Sequence, residues 1–307
     1  LLLKALEKFP NSSELYSNLG VTLINSGSEK EGIDYFIRAK SLDEPTQSVF
    51  NNLGAYYLKK KQYKEALKEF NKARKFEQKN ATLLVNIGFC LHKLKDFKNA
   101  KKIFNRALEI APKNILAKEL LATIYEQENN YEIAVELFSD LISQEGAQEN
   151  YLFTLGDILI KMGERERGIS IYEEAVKQNP DDPGYLLQLI ERYLAIEYYD
   201  IAILKLQKLI ERSPKNLKAF SLLGEAYYLQ GLKNPLRTAD AMDKSLYYFK
   251  NILSINDLDI KANYHAGLIY YTYKKDKNTG MEYWQKLLKI ENVPDQTKNE
   301  ILGRIKE

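Results

Sequence analysis

Several residue types are scarce in this sequence of 307 residues, and each scarcity removes a class of protein. With Cys90 as its one cysteine, the chain has no internal disulfide framework, which leaves the compartment open and the cytoplasm slightly favoured. No apolar run approaches the roughly 18 residues of a membrane-spanning helix, so we expect no direct membrane segment. The 15 glycines and 8 prolines are few enough to favour a helical globular protein over a strand-rich or disordered one.

Recognisable catalytic motifs are also missing. The two histidines, His92 and His265, have no histidine or cysteine partner at a metal-ligand spacing. Cys90 lies two residues from His92, a spacing that directs two helical side chains to different faces, and this favours a buried structural thiol over a nucleophile. The glycines form no phosphate-binding loop. We therefore expect a chain without enzymatic activity, cofactor or metal.

Charge is divided unevenly along the chain, although the net charge is only +3. Residues 1–114 carry 21 Lys and Arg against 12 Asp and Glu, and residues 115–182 carry 5 against 15. Residues 183–307 carry 19 against 15. Such stripes favour protein partners, whereas nucleic-acid binding would favour one sustained basic face.

A period of 34 residues organises the sequence. Steps of 34 reach a row of mostly small residues: Gly20, Gly54, Gly88, Ala122, Gly156, Ile190 and Gly224. Sixteen residues after each of the first six stands a large side chain: Phe36, Phe70, Phe104, Phe138, Tyr172 and Leu206. Small residues on one helix admit large ones from its neighbour, so each period predicts a helical hairpin closed by interdigitation.

A 34-residue unit with Leu-Gly, Tyr, Ala, Phe, Ala and Pro at these offsets resembles the tetratricopeptide repeat family. The resemblance implies an all-α fold, a right-handed superhelical solenoid of helical hairpins. Residues 1–12 are then the second helix of a truncated repeat, and residues 294–307 form a capping helix. We predict eight repeats, at 13–46, 47–80, 81–114, 115–148, 149–182, 183–216, 217–259 and 260–293.

The seventh of these repeats is longer than the others. Gly267 follows Gly224 by 43 residues, and we place the nine added residues before the second helix, around 231–240. Two interpretations remain open. The addition is a tolerated loop insertion, which costs little free energy, or a protrusion that binds a partner.

The resemblance implies that the first helices line a concave groove that binds a peptide or a partner helix. The same groove position holds Asn18, Asn52 and Asn86 in the first three repeats, and Asn51 belongs to the same contact set. An asparagine side chain both donates and accepts, so such a row can pair with the backbone of an extended peptide. A hydrogen bond between packed helices and chance remain the alternatives.

A second run in the groove is acidic and lies further along the chain. It consists of Asp157, Glu191 and Glu225, and we group it with Tyr228, Tyr264 and Tyr271. Together these side chains predict an acidic wall with aromatic rings, suited to a basic or mixed segment. A solvated charged face is the alternative interpretation.

These patterns favour a non-enzymatic scaffold for protein–protein interaction, whose groove binds an extended or helical segment of a partner. Two alternatives belong to other classes. One is the regulatory or substrate-selecting arm of a larger enzyme or membrane-associated assembly, because a chain that begins at Leu1 without Met reads as a fragment. The other is self-association through the truncated first helix.

Overall fold

A computed structural model describes residues 2–42, 44–144 and 150–306. Within these ranges the secondary structure is helical throughout and contains no strand, which confirms the all-α prediction. The chain divides into two compact units, Leu1–Tyr172 and Glu173–Glu307. Leu1 and the predicted boundary between the fourth and fifth repeats, at residue 148, lie outside the described residues.

The first unit consists of successive helices that pair as hairpins. They are α1 (Leu2–Lys8), α2 (Ser13–Asn25), α3 (Glu29–Ser41), α4 (Gln47–Lys59), α5 (Tyr63–Ala73), α6 (Ala81–Lys93), α7 (Phe97–Ile110), α8 (Ile115–Gln127), α9 (Tyr131–Ile142) and α10 (Asn150–Lys161). Helix α11 (Arg165–Gln178) begins in this unit and ends in the second.

The second unit continues the same organisation of paired helices. Its helices are α12 (Pro183–Ala195), α13 (Tyr199–Arg212), α14 (Leu217–Lys233), α15 (Thr238–Leu253), α16 (Ile260–Leu268), α17 (Lys277–Leu288) and α18 (Asp295–Lys306). A short 3₁₀ helix, Pro235–Arg237, precedes α15, and a π-helical turn, Ile269–Tyr273, follows α16. The division into eight repeats remains our proposal for how these helices are grouped.

Side-chain caps begin several of the first helices. The Asn80 side chain accepts a hydrogen bond from the Leu83 amide at 3.0 Å, and the Asp259 side chain accepts one from the Ala262 amide at 2.8 Å. Each cap satisfies a backbone amide that has no partner within its own helix. Asn114 and Asn216 cap α8 and α14 in the same way.

Within most hairpins a turn of three residues connects the two helices, and its middle residue is left-handed. After α4, for example, Lys61 has a φ of 59°, and the Gln62 amide donates to the Tyr57 carbonyl at 2.9 Å. This arrangement satisfies carbonyl groups at the helix end and reverses the chain. The residues in this conformation are Gly27, Lys61, Lys95, Asn129, Gly163, Glu197 and Lys275.

The hairpins close by packing an aromatic ring directly against a glycine. A Cβ atom added to Gly54 would lie 2.6 Å from carbon atoms of the Phe70 ring, and one added to Gly224 would lie 3.0 Å from the Phe249 ring. Both rings are almost completely buried. The row of small residues therefore exists because a neighbouring ring occupies the space of a side chain.

Ile190 is the exception in the row of small residues, and a smaller side chain on the partner helix compensates for its volume. Ile190 is completely buried in α12, and its counterpart Leu206 in α13 is aliphatic where the other hairpins place a ring. A larger residue on one helix is thus accompanied by a smaller residue on the other. Such volume-conserving changes preserve the packing of a core.

The two irregular hairpins lie near the end of the chain. Helix α14 has 17 residues, and the segment around 231–240 contains the end of α14, the 3₁₀ helix and the start of α15. In the next hairpin the ring of Trp284 follows Gly267 by 17 residues, one more than in the regular hairpins. The structure absorbs this added residue in the π-helical turn, where the Lys274 amide donates to the Ile269 carbonyl at 3.0 Å, and the turn that follows keeps three residues.

Candidate functional site

The predicted row of asparagines lies on the first helices of the first unit. Asn18 on α2 is exposed, and Asn86 on α6 is half-buried. Among the described residues, neither side chain has a hydrogen-bond partner, and the same holds for the half-buried Asn51 on α4. These three amides are therefore free to pair with another molecule.

Asn52, the central member of the row, differs from its neighbours. Its Nδ2 donates to Ser17 Oγ on α2 at 3.0 Å, and Ser17 is completely buried. Asn52 also lines a cavity of about 180 Å³ between α2 and α4, with Val21 and Tyr56 among its walls. The interhelix hydrogen bond that we weighed as an alternative is therefore present at one position, and within the described ranges the side-chain oxygen of Asn52 has no hydrogen-bond partner.

Two members of the acidic run pair with basic residues of the next first helix. Glu191 on α12 forms a salt bridge with Lys218 on α14 at 2.9 Å. Glu225 on α14 forms one with Lys261 on α16 at 2.6 Å. Partly exposed ion pairs of this kind contribute only a few tenths of a kcal/mol to about 1 kcal/mol each. They neutralise the two carboxylates and connect successive hairpins.

Asp157 on α10 has a contact of a different kind. The Tyr172 hydroxyl donates to its carboxylate at 2.6 Å, and the ring of Tyr172 fills the space beside Gly156. Asp157 therefore satisfies the hydroxyl of a buried aromatic residue, which would otherwise lose its hydrogen bond to water.

The three tyrosines lie in the second unit, and two of them hold its last helix. The Tyr264 hydroxyl donates to Glu300 on α18 at 2.5 Å, and the Tyr271 hydroxyl donates to the Arg304 carbonyl at 3.0 Å. Burial, together with the bond to Glu300, raises the pKa of Tyr264. Burial also raises the pKa of Tyr228 to about 12. These rings contribute to internal packing.

The lone thiol and the histidines have the properties of core residues. Cys90 is completely buried, and this burial raises its pKa to about 11, so the nucleophilic thiolate is suppressed at neutral pH. His265 stacks on the ring of Phe249 with centroids 4.8 Å apart, and burial lowers its pKa to about 4. The pKa of His92 is also lowered by burial. All three groups are neutral near pH 7.

Two features are absent from the described ranges. They contain no cluster of three or more potential metal ligands among His, Cys, Asp and Glu. Across the same ranges, no helix is both long enough and apolar enough to span a membrane.

Sequence reasoning missed the partners of the acidic run and one surface pocket. Glu191 and Lys218 belong to different hairpins, so only their recurrence one period later, in Glu225 and Lys261, could have revealed the pairing. The pocket surrounds Phe76, an aromatic side chain that is 58% exposed. Its signal in the sequence was a phenylalanine at a helix end, where most periods place a smaller or polar residue.

Comparison with family models gives three matches along the chain. Models described as tetratricopeptide repeat match residues 1–33, 57–124 and 149–182. A curated relative is the general transcriptional corepressor ssn6 of Schizosaccharomyces pombe, at 25% identity over 131 residues. That alignment covers 43% of this chain and 11% of the corepressor, so the chain corresponds to a small part of that protein's length.

Two solved structures illustrate the similarity of the fold. One is the C-terminal part of a repeat-containing protein of this type from Cytophaga hutchinsonii, with a TM-score of 0.58, 17% identity, and coverage of 80% of this chain and 97% of that one. Another is a tetratricopeptide repeat protein from Parabacteroides merdae, with a TM-score of 0.56, 15% identity, and coverage of 85% and 99%. The periodic sequence, the paired helices and these matches agree, and the chain belongs to the tetratricopeptide repeat family.

Proposed function

We propose that this chain is a non-enzymatic scaffold that binds an extended or helical segment of a partner protein along the first helices of its first unit. Repeats of this family generally mediate protein–protein interaction. The observation that carries the proposal is the row Asn18, Asn52 and Asn86. Each residue lies on a successive first helix, and two of the three have no side-chain partner among the described residues.

The chemistry of the row supports a backbone ligand. An asparagine amide donates and accepts at once, as the peptide group does, so one side chain can satisfy both polar groups of a ligand residue. Asparagine costs about 0.6 kcal/mol relative to alanine inside a helix. At Asn18 and Asn86 no side-chain hydrogen bond within the described ranges offsets this cost, which favours a role in binding.

The acidic run and the tyrosines of the second unit have a smaller part in the proposal. The polar groups of Glu191, Glu225 and Tyr264 already contact lysines or the last helix, so a ligand would have to displace these contacts. We therefore assign Glu191, Glu225 and Tyr264 mainly to the stacking of helices, and the asparagine row to the partner.

The proposal can be tested with the whole chain and its captured partner. Proteins bound to the immobilised chain are identified, and the purified partner is titrated by calorimetry against wild type and the Asn18→Ala, Asn52→Ala, Asn86→Ala triple variant. We expect the triple variant to bind at least about tenfold more weakly. Circular dichroism checks folding, because Asn52→Ala also removes the bond to Ser17, at a cost of about 1 kcal/mol.

A matched control separates the row from asparagine content in general. Asn105 on α7 and Asn299 on α18 are both exposed, and their double alanine variant should bind like wild type. If the triple variant binds the partner as tightly as wild type, the asparagine row is not the binding surface.

A further inference from the structure

An open pocket lies at the corner where one hairpin of the first unit meets the next. We call it the first corner pocket, and it is formed by Phe50, Lys72, Lys75, Phe76 and the segment 44–47. Its volume is about 780 Å³. The ring of Phe50 is buried and stacks on Phe76 with centroids 5.9 Å apart, so Phe76 presents a supported aromatic surface to solvent.

The first corner pocket has an excess of positive charge. Lys72 shares the buried carboxylate of Glu69 with Lys40, at 3.2 and 2.7 Å, so one negative charge faces two lysines. Lys75 forms no salt bridge among the described residues. The acid that lines the pocket is Glu44, which is exposed. The charges of Lys72 and Lys75 are thus only partly compensated.

A second depression continues from Lys75 across the second helices α5 and α7. We call it the basic strip, and it has a volume of about 510 Å³. It is lined by Asn71, Arg74, Lys75, Gln78 and Arg106. The strip contains no acidic residue, and none of its three cations forms a salt bridge among the described residues. The cations of the strip attract anions and donate hydrogen bonds to them, and the amide groups of Asn71 and Gln78 both donate and accept.

The second unit contains the same corner without the charge. Phe220 precedes Gly224 by four residues, as Phe50 precedes Gly54, and Ile255 follows the ring of Phe249 by six residues, as Phe76 follows Phe70. Together with Asn251, Ser254, Pro214, Leu217 and Tyr247, these residues line a pocket of about 220 Å³, the second corner pocket.

The comparison of the two corner pockets shows which of their residues are needed for packing. Asn251 and Ser254 occupy the positions of Lys72 and Lys75. Because a corner of this fold forms with neutral residues at these positions, the lysines of the first corner pocket are not required for the packing of the corner. Three unpaired cations side by side also repel one another, which costs free energy unless a ligand neutralises them.

We propose that the first corner pocket and the basic strip bind an acidic protein segment that carries one aromatic or large aliphatic side chain. The apolar side chain lies against Phe76, and carboxylates on the same segment pair with Lys75, Arg74 and Arg106. This surface is formed by second helices, the first turn of α4 and a connection between hairpins. None of the asparagines of the row lines it, and the proposal does not depend on them.

A single-stranded nucleic acid is the other polyanion that combines charge with flat rings. Proteins that bind such strands present several aromatic platforms along a basic groove. Here Phe76 is the exposed ring, and the basic strip beyond it is lined by amides and cations without a further aromatic residue. The arrangement therefore favours an acidic peptide with one anchor.

The test uses defined probes and fluorescence anisotropy on the whole chain. The first probe is a short labelled peptide with several glutamates and one tryptophan. In two matched peptides the tryptophan is replaced by alanine, or the glutamates by glutamine, and a labelled oligothymidylate of the same length is the fourth probe. We expect the first peptide to bind at least about tenfold more tightly than each of the others at low salt.

Variants locate the site. Phe76→Ala and the double variant Lys75→Glu, Arg106→Glu should each weaken the binding of the first peptide by about tenfold or more. The controls change the second corner pocket at equivalent positions, with Ile255→Ala and Ser254→Glu, and should leave binding unchanged. All five positions are exposed, so folding should survive, and circular dichroism verifies it.

Four results would overturn the proposal. They are the absence of binding at about 1 mM protein, equal binding of the glutamine peptide, tighter binding of the oligothymidylate, or an equal loss of binding in the control variants. None of them bears on the asparagine row, because that row is tested with its own partner and its own triple variant.

Discussion

The two corner pockets show how one backbone arrangement acquires two surfaces. In each, a phenylalanine that is buried (Phe50) or partly buried (Phe220) lies four residues before the glycine of a hairpin, and an exposed apolar side chain follows the ring that packs on that glycine. The corner in the first unit adds Lys72 and Lys75, whereas the corner in the second unit has Asn251 and Ser254. Packing thus fixes where the rings lie, and the positions around them are free to carry different charges.

The first helices of the two units differ in a similar way. In the first unit the side chains of Asn18 and Asn86 have no hydrogen-bond partner in the part of the chain that the structure describes. In the second unit Glu191 and Glu225 are bound by lysines, and Tyr264 holds the last helix. We infer that equivalent faces serve a ligand in one unit and internal stacking in the other.

The largest expected effect concerns the packing that the units share. Gly54→Ala should lower the free energy of unfolding by about 3 kcal/mol, because the added Cβ would lie 2.6 Å from the Phe70 ring. Gly224→Ala should cost about 1 kcal/mol, because its Cβ would lie 3.0 Å from the Phe249 ring and smaller shifts suffice. Urea denaturation followed by circular dichroism measures both.

Gly303 provides the control for this pair. A Cβ added there would meet nothing within 4 Å, so Gly303→Ala should leave stability unchanged or raise it by up to about 1 kcal/mol. Equal losses at Gly54 and Gly303 would show that the small row is not explained by packing.

A smaller effect concerns how the free energy of unfolding depends on pH. Each unit contains one histidine, so the two units can be compared. The pKa of His265 is about 4 in the folded state and about 6.5 when exposed, so protonation favours the unfolded chain. Stability should therefore fall as pH decreases from about 6.5 towards 4, by about 2 kcal/mol at pH 5. In His265→Phe this contribution disappears, and denaturation curves at several pH values measure the difference from wild type.

His92 in the first unit is the comparison. Its pKa is lowered in the same direction, so His92→Phe should also reduce the loss of stability at acid pH, by a smaller amount. Identical pH profiles for wild type and His265→Phe would contradict the burial of a neutral His265.

The smallest expected effect comes from a variant that makes the two corner pockets more alike. The double variant Asn251→Lys, Ser254→Lys gives the second corner pocket the cations of the first. We expect it to bind the acidic tryptophan peptide more tightly than wild type, by about tenfold at that site, or about 1.4 kcal/mol. Anisotropy in the Phe76→Ala background isolates the new site, and no gain there would mean that the corner rings do not form an anchor site.

Much of the fold could be predicted from the sequence because its packing is periodic. The row from Gly20 to Gly224 and the rings that follow it repeat at fixed distances, so each hairpin is visible in a single chain. The π-helical turn at Ile269–Tyr273 was not predicted. An added residue gives the same spacing between Gly267 and Trp284 whether it enters the connecting turn or the helix, so the sequence alone does not distinguish the two.

The candidate site was less accessible to sequence reasoning. The asparagine row was found because its members occupy one position in consecutive periods. Phe50 and Phe76 lie at two different positions, and their counterparts Phe220 and Ile255 are nine residues further apart, so the corner becomes visible only when the helices pack. The bond between Asn52 and Ser17 also depends on how α2 and α4 meet.

Hydrogen–deuterium exchange of the whole chain, with and without the captured partner, tests most directly whether the partner binds along the first helices of the first unit. The account predicts slower exchange on binding in α2, α4 and α6, and little change in α12, α14 and α16. Slower exchange confined to α12, α14 and α16, or no change in α2, α4 and α6 at saturating partner, would contradict it.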